Sequence, residues 1–234
     1  MQVVIDFFHA HKPFFDAVQM ASSVVSLLGW LASFTFLTLA WSKGWITGLS
    51  LFGMNVTLAR QKEVAVVMSR ATRERAFKDI NRKPGERSQP TADLAKLNAI
   101  ISRAFTPDEQ ANLIGKAILW VDDNPSNNQN EVTALRMIGL VVEQVESTAA
   151  GLAALKAHPY DLVVSDMGRD GEKLAGYDLL EAIRATGSAV PYILYSADGS
   201  KSMHQQEAIK RGALGSTDYP HELLDLIISH LGGR

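Results

Sequence analysis

The stretch Ala117-Ile118-Leu119-Trp120-Val121 runs straight into Asp122-Asp123, and Asp161-Leu162-Val163-Val164-Ser165 runs into Asp166. A third apolar run, Tyr192-Ile193-Leu194-Tyr195, ends on Ser196. Short apolar runs closed by polar residues read as fully buried strands of a parallel sheet, and such strands need helices between them. Helical patterns lie between them, near Asn127–Ile138, Ala149–Lys156, Ala175–Ala185 and His204–Arg211, with a last one near His221–Leu231. With two further strands, Val141–Val145 and a weak Ala213–Thr217, the pattern is five β-α units. It predicts a five-stranded, parallel, doubly wound α/β domain over residues 116–234. In such sheets ligands bind at the carboxyl ends of the strands. Asp122, Asp123, Asp166 and Ser196 are therefore expected at one crevice. Three carboxylates so placed repel one another unless a hard cation sits among their oxygens, and Mg²⁺ is the usual choice.

Composition limits the alternatives. The chain has 234 residues, a net charge of −2 and no cysteine, so disulfides and thiolate metal sites are excluded. Charge is unevenly spread. Residues 60–87 hold nine Lys/Arg against four Asp/Glu, whereas residues 116–234 hold ten against sixteen. No Ser-His-Asp set, glycine-rich phosphate loop or DNA-binding helix pair is read, and nucleic acid is not expected as a partner.

The amino end carries a different signal. Residues 17–42 contain no charged side chain. About 20 such residues in a helix cross a bilayer core, so one transmembrane helix is expected at about 17–41. Trp41 and Trp45 would mark an interface, and the basic residues that follow place the carboxyl side in the cytoplasm. Residues 44–59 are uncharged too. Phe52, Met54, Val56 and Leu58 alternate with Gly53, Asn55 and Thr57, a strand-like period. They read as a short interfacial or extended piece, with a second crossing as the alternative. Residues 1–59 are thus a membrane anchor that touches lipid. Residues 60–115 are a basic juxtamembrane helix (61–80), a linker with two prolines (81–90), and two short helices near 91–104 and after Thr106. The connectors offer a spacer or a surface for a homodimer.

The strand-and-acid pattern resembles the receiver domain of two-component response regulators. Ile118-Leu119-Trp120-Val121-Asp122-Asp123-Asn124-Pro125 resembles the family's first strand and acidic pair. Asp161 to Met167 resembles its third strand, ending on the phosphate-accepting aspartate. Pro191 to Ala197 resembles the fourth strand and its hydroxyl switch residue, and Gly212-Ala213 resembles the approach to the fifth. The resemblance implies a flavodoxin-like fold, with Asp166 as phosphoacceptor and Ser196 as the switch hydroxyl. It implies Mg²⁺ held by Asp122, Asp123, Asp166 and the Gly168 carbonyl, and a sensor histidine kinase or other signalling protein as partner. Three departures mark this chain. Tyr219 stands where the family has a lysine, Ser216 replaces an aromatic residue, and the loop Met167-Gly168-Arg169-Asp170-Gly171 lacks a proline turn. Arg169 or Lys201 is a candidate replacement cation.

These readings lead to a non-enzymatic, membrane-tethered signalling protein of the bacterial inner membrane, single-pass, with its receiver in the cytoplasm. Phosphorelay through Asp166 is the expected activity. No further domain is read after the receiver, so output is expected by contact. The alternative is a pseudo-receiver that binds proteins as a scaffold without accepting phosphate. A Mg²⁺ hydrolase with Asp170 as general acid is a third class.

Overall fold

The computed structural model describes residues 45–78, 90–197 and 199–233. The expected membrane span at 17–41 and the linker residues 81–89 lie outside the described residues. No described helix is long and apolar enough to cross a membrane. The chain divides between Val56 and Thr57 into two compact units, and everything that follows from Thr57 onward belongs to the second.

Five parallel strands form one sheet: β1 (Ala117–Val121), β2 (Val141–Val145), β3 (Leu162–Ser165), β4 (Tyr192–Tyr195) and β5 (Gly215–Thr217), in the order β2-β1-β3-β4-β5. The first four agree with the expected bounds. β5 starts two residues later than expected. Gly212 turns the chain at φ 89, and the Ala213 N–H closes the preceding helix on the Ala208 carbonyl, so the strand can begin only beyond them. The register sets Val121 beside Ser165 and Ser165 beside Leu194, so the acidic and hydroxyl residues that follow emerge at the same edge.

Eight helices are described: α1 (Trp45–Lys78), α2 (Pro90–Ala104), α3 (Pro107–Leu113), α4 (Gln129–Ile138), α5 (Thr148–Ala157), α6 (Ala175–Ala185), α7 (Ser202–Lys210) and α8 (Pro220–Leu231). Strand side chains alternate between the two faces. Ile118, Trp120, Leu162, Val164 and Ile193 face one core, with α4 and α8. Leu119, Val121, Val163, Tyr192 and Leu194 face the other, with α6. Burying each such side chain contributes about 1.5–3 kcal/mol, so two filled faces account for the sheet's central position. Local chemistry sets the helix ends. The Ser147 hydroxyl accepts the Ala150 N–H at the start of α5 (3.1 Å). Gly139, at φ 110, ends α4.

The segment before the sheet departs from its expected form. Residues 44–59 were expected to be extended or interfacial; residues from Trp45 are instead the first part of α1, which continues unbroken to Lys78. The alternation of Phe52, Met54, Val56 and Leu58 was misleading: the helix satisfies the backbone groups of this segment internally. Past Thr57, Val64, Met68, Ala71 and Thr72 form a buried helical stripe, while Phe77 is exposed. α2 buries Leu97, Ile101 and Ala104 in the same core as α8. Arg103 binds Asp225 (2.8 Å) and Ser229 (3.1 Å) of α8. The apolar side of α2 is therefore spent within the chain rather than serving as a spacer.

Candidate functional site

Asp122, Asp123 and Asp166 meet at the carboxyl edge of the sheet. One carboxylate oxygen from each lies within 4.8 Å of the others. Asp122 is buried, Asp166 half-buried and Asp123 exposed, so the cluster has an inner wall and an open mouth. Asp122 is pinned: its Oδ1 accepts the Asn124 N–H (2.7 Å) and its Oδ2 accepts the Asn128 amide (2.6 Å). Asp166 Oδ1 accepts the Met167 N–H (2.7 Å), and Asp123 Oδ2 accepts the Asp170 N–H (3.0 Å).

Electrostatics agree with the crowding. Burial, and then the neighbouring charges of Asp122 and Asp123, push the Asp166 carboxyl up to about 6, against the pull of the Met167 N–H and Arg169. Burial also raises Asp122, opposed by its two hydrogen bonds and Arg169. Negative charge here is undercompensated by the protein itself. All the donors are hard oxygens, and each carboxylate oxygen retains a further lone pair beyond its hydrogen bond. The set fits Mg²⁺, which is coordinated by carboxylates and otherwise keeps its waters. Gly168 is half-buried in the loop that follows Asp166.

That loop replaces the missing proline turn with a different device. Asp170 and Gly171 both have positive φ (52 and 86), and Arg169 and Glu172 bond each other across them (3.0 and 2.8 Å). An Asp-Gly pair suits such a turn because both residues tolerate the left-handed region. The turn aims the Asp170 N–H at Asp123. Asp170 itself is exposed.

Arg169 does not sit at the site mouth. It is 2 % exposed, beneath the loop. Its Nη1 donates to the Ser165 hydroxyl (2.6 Å) and the Asp166 carbonyl (2.7 Å), and its Nη2 to Thr148 Oγ1 (3.0 Å) and the Ala175 carbonyl (2.9 Å). One guanidinium thus ties β3 to the starts of α5 and α6. Gly176 completes this packing. A Cβ there would fall 2.6 Å from the Asp166 carbonyl oxygen, so only glycine lets α6 approach so closely. Lys201, the other candidate cation, is exposed before α7.

Ser196 is half-buried at the end of β4, one strand away from Asp166. Its N–H donates to the Thr217 carbonyl (3.1 Å) and its carbonyl accepts the Gly199 N–H (2.9 Å). Tyr219, expected from the sequence to stand where the family has a lysine, lies just before α8 and packs its ring on His221 (centroids 5.7 Å apart). Ser216, in the place of the aromatic residue, is buried and its hydroxyl has no hydrogen-bond partner among the described residues. A residue from far away enters here: Arg75 of α1 donates to the Ala197 carbonyl (2.5 Å) and pairs with Asp218. Sequence reading placed the three carboxylates correctly. It missed Arg75, Asn128, Thr148 and Gly176, whose roles depend on contacts between distant segments.

Residues 118–226 match the family model of the response regulator receiver domain. Solved structures with similarity include the receiver domain of the Francisella response regulator 1452, at 21% identity and TM-score 0.45, covering 50% of this chain and 97% of that one. Another is the chemotaxis response regulator CheY4 of Vibrio cholerae, at 21% and 0.43, covering 50% and 98%. A third is the response regulator TrrA of Thermotoga maritima, solved in complex with Mg²⁺-BeF, at 24% and 0.42, covering 50% and 99%. No curated protein matches the chain. Residues 118–226 of this chain are a response regulator receiver domain.

Proposed function

We propose that this protein takes part in phosphorelay signalling by accepting a phosphoryl group on Asp166 and passing the change on by contact. The observation that carries the reading is the meeting of Asp122, Asp123 and Asp166 within 4.8 Å at the ends of β1 and β3. A phosphohistidine of a sensor kinase is the expected donor. An Asp166 carboxylate oxygen attacks phosphorus in line. The new O–P bond forms as the N–P bond breaks, and its electron pair leaves with the imidazole, which takes a proton from solvent. Bound at the three carboxylates and the Gly168 carbonyl, Mg²⁺ supplies charge neutralisation for the transferred group. Asn128 and the Asn124 N–H hold Asp122 in place, and Arg169 fixes the backbone of Asp166 from below. The Ser196 hydroxyl then donates to a phosphoryl oxygen, which draws the β4–α7 loop toward Asp166. The protein is a phosphoacceptor rather than a turnover enzyme. The uncharged stretch at 17–41 tethers it to the bacterial inner membrane, with the receiver in the cytoplasm.

A second reading rests on Tyr219 and Ser216, which replace the family's lysine and aromatic residue. In it the domain is a phosphorylation-independent binding module. Incubation of the full chain with Mg²⁺ and acetyl phosphate separates the two. A mass gain of one phosphoryl group, lost in Asp166→Asn, is the expected result. No gain, together with no Mg²⁺-dependent change in Trp120 fluorescence, would establish the pseudo-receiver instead.

A further inference from the structure

At the end of β5 the sheet itself offers no cation: Ser216-Thr217-Asp218-Tyr219 stands there. The cation at this edge comes from α1. Arg75 Nη2 donates to the carbonyl of Ala197, the residue after Ser196, and pairs with the carboxylate of Asp218, the residue before Tyr219. The two side chains are only 11% and 1% exposed. A surface ion pair this far from the site would say little, but a desolvated one with a fixed second acceptor constrains both segments. Arg75 thus bridges the ends of β4 and β5 from outside the sheet.

The two ends also touch on either side of Ala197. The Ser196 N–H donates to the Thr217 carbonyl. Gly199 packs so tightly that a Cβ there would lie 2.5 Å from the Thr217 carbonyl oxygen. These two anchors flank Ala197, whose carbonyl can turn on the loop while Asp218, directly after β5, keeps its place. Arg75 binds one acceptor on each of these segments. The part of α1 between Val64 and Arg75 packs on the receiver: Val64, Met68 and Ala71 are buried, and Asn130 of α4 lies 3.4 Å from the Glu74 carboxylate.

We propose that α1 is the intramolecular partner of the switch loop, held on the receiver by Arg75 and loosened when a phosphoryl group on Asp166 draws Ser196 and Ala197 away. The inference rests on the phosphoacceptor reading of Asp166 and names its output. The signal passes to the helix that leads back toward the amino end. Losing the Ala197 acceptor while Asp218 stays keeps α1 near the receiver but less firmly held. A hydrogen bond to a charged group carries enough energy to shift such an equilibrium about tenfold.

Amide hydrogen exchange on the full chain tests this, with Mg²⁺ alone and with Mg²⁺ plus beryllofluoride. A ¹⁹F spectrum of the same sample reports occupancy of the site. The expected result is a bound ¹⁹F signal with exchange of residues 64–75 faster by about tenfold. The double variant Arg75→Ala/Asp218→Ala leaves no buried carboxylate unpaired. It is expected to show the ¹⁹F signal with fast exchange in α1 that no longer responds. A bound ¹⁹F signal with unchanged exchange in the unaltered chain would overturn the coupling and leave the phosphoacceptor reading intact. Absence of that signal would overturn both. A full response retained in the double variant would overturn the role of Arg75.

Discussion

The two halves of the sheet's carboxyl edge have been treated differently. At β1 and β3 the chain gathers three carboxylates into a pocket, with each acid oriented by an N–H or an amide. At β4 and β5 the edge carries Ser196 but no lysine, and a buried Asp218 holds an arginine from α1. The first half gathers hard oxygen donors that suit a cation. The second half is rebuilt as a seat for a helix of the same chain. The comparison teaches that the edge without a lysine still holds a cation, in a buried ion pair with α1.

The strongest way to break this contrast is Asp166→Asn. It should abolish the acetyl phosphate adduct completely, read by intact mass, while circular dichroism and the docking of α1 stay unchanged. Loss of folding along with the adduct would mean that the two halves are not separable.

Next in size is Arg75→Ala. It leaves the Asp218 carboxylate buried without its guanidinium, which costs about 3–5 kcal/mol. Urea denaturation should show this loss, and Asp218→Ala in the same chain should restore most of it. A change under about 1 kcal/mol would place Arg75 among ordinary surface pairs.

Arg169→Met sharpens the other half. The substitution removes the guanidinium's hydrogen bonds to the Ser165 hydroxyl, Thr148 Oγ1 and the Asp166 and Ala175 carbonyls, at a cost of about 2–3 kcal/mol. Arg169→Lys should recover only part, because one ammonium cannot span the acceptors of a planar fork.

The smallest effect is a pH dependence. The folded state, by raising Asp166 to about 6, holds that proton more tightly than an unfolded chain, where an aspartate titrates near about 3.9. Stability without a divalent cation should therefore fall as pH climbs from about 4 to about 6 and then level off. Asp166→Asn should stabilise the cation-free chain by about 1 kcal/mol above pH 6, after allowance for solvent screening at this half-exposed group, and by nothing below about pH 4. Mg²⁺ should remove the difference. Thermal melts across that range check the sign: a gain largest in acid would refute the raising of Asp166 by burial and by its neighbouring carboxylates.

The fold was largely legible because its signals are local. Each central strand is a continuous apolar run closed by a polar residue, and Ala175–Ala185 shows its helical face in sequence. The carboxylates were legible because strand polarity forces strand ends to one edge. Period-two alternation failed at 52–58, where the chain is helical, since alternation specifies a strand only when a partner strand exists. Arg169 resisted reading because an arginine in a loop after an acidic cluster suggests a solvated charge. Its burial is decided by acceptors on β3, α5 and α6 together. Arg75 and Asp218 are 143 residues apart, and nothing local tells a paired arginine from the other basic residues of its helix.

By itself, then, the sequence determined the alternation of strand and helix, the parallel order of the acids along one edge and the absence of a lysine after β5. These follow from periodicity and from residue identity, which need no knowledge of neighbours. Only the tertiary structure decided that Arg169 lies under the site, that Gly176 admits α6 against Asp166, and that α1 reaches the loop beside Ser196. Each of those depends on desolvation and on geometry shared between segments far apart in the chain, and such terms have no value until the segments meet.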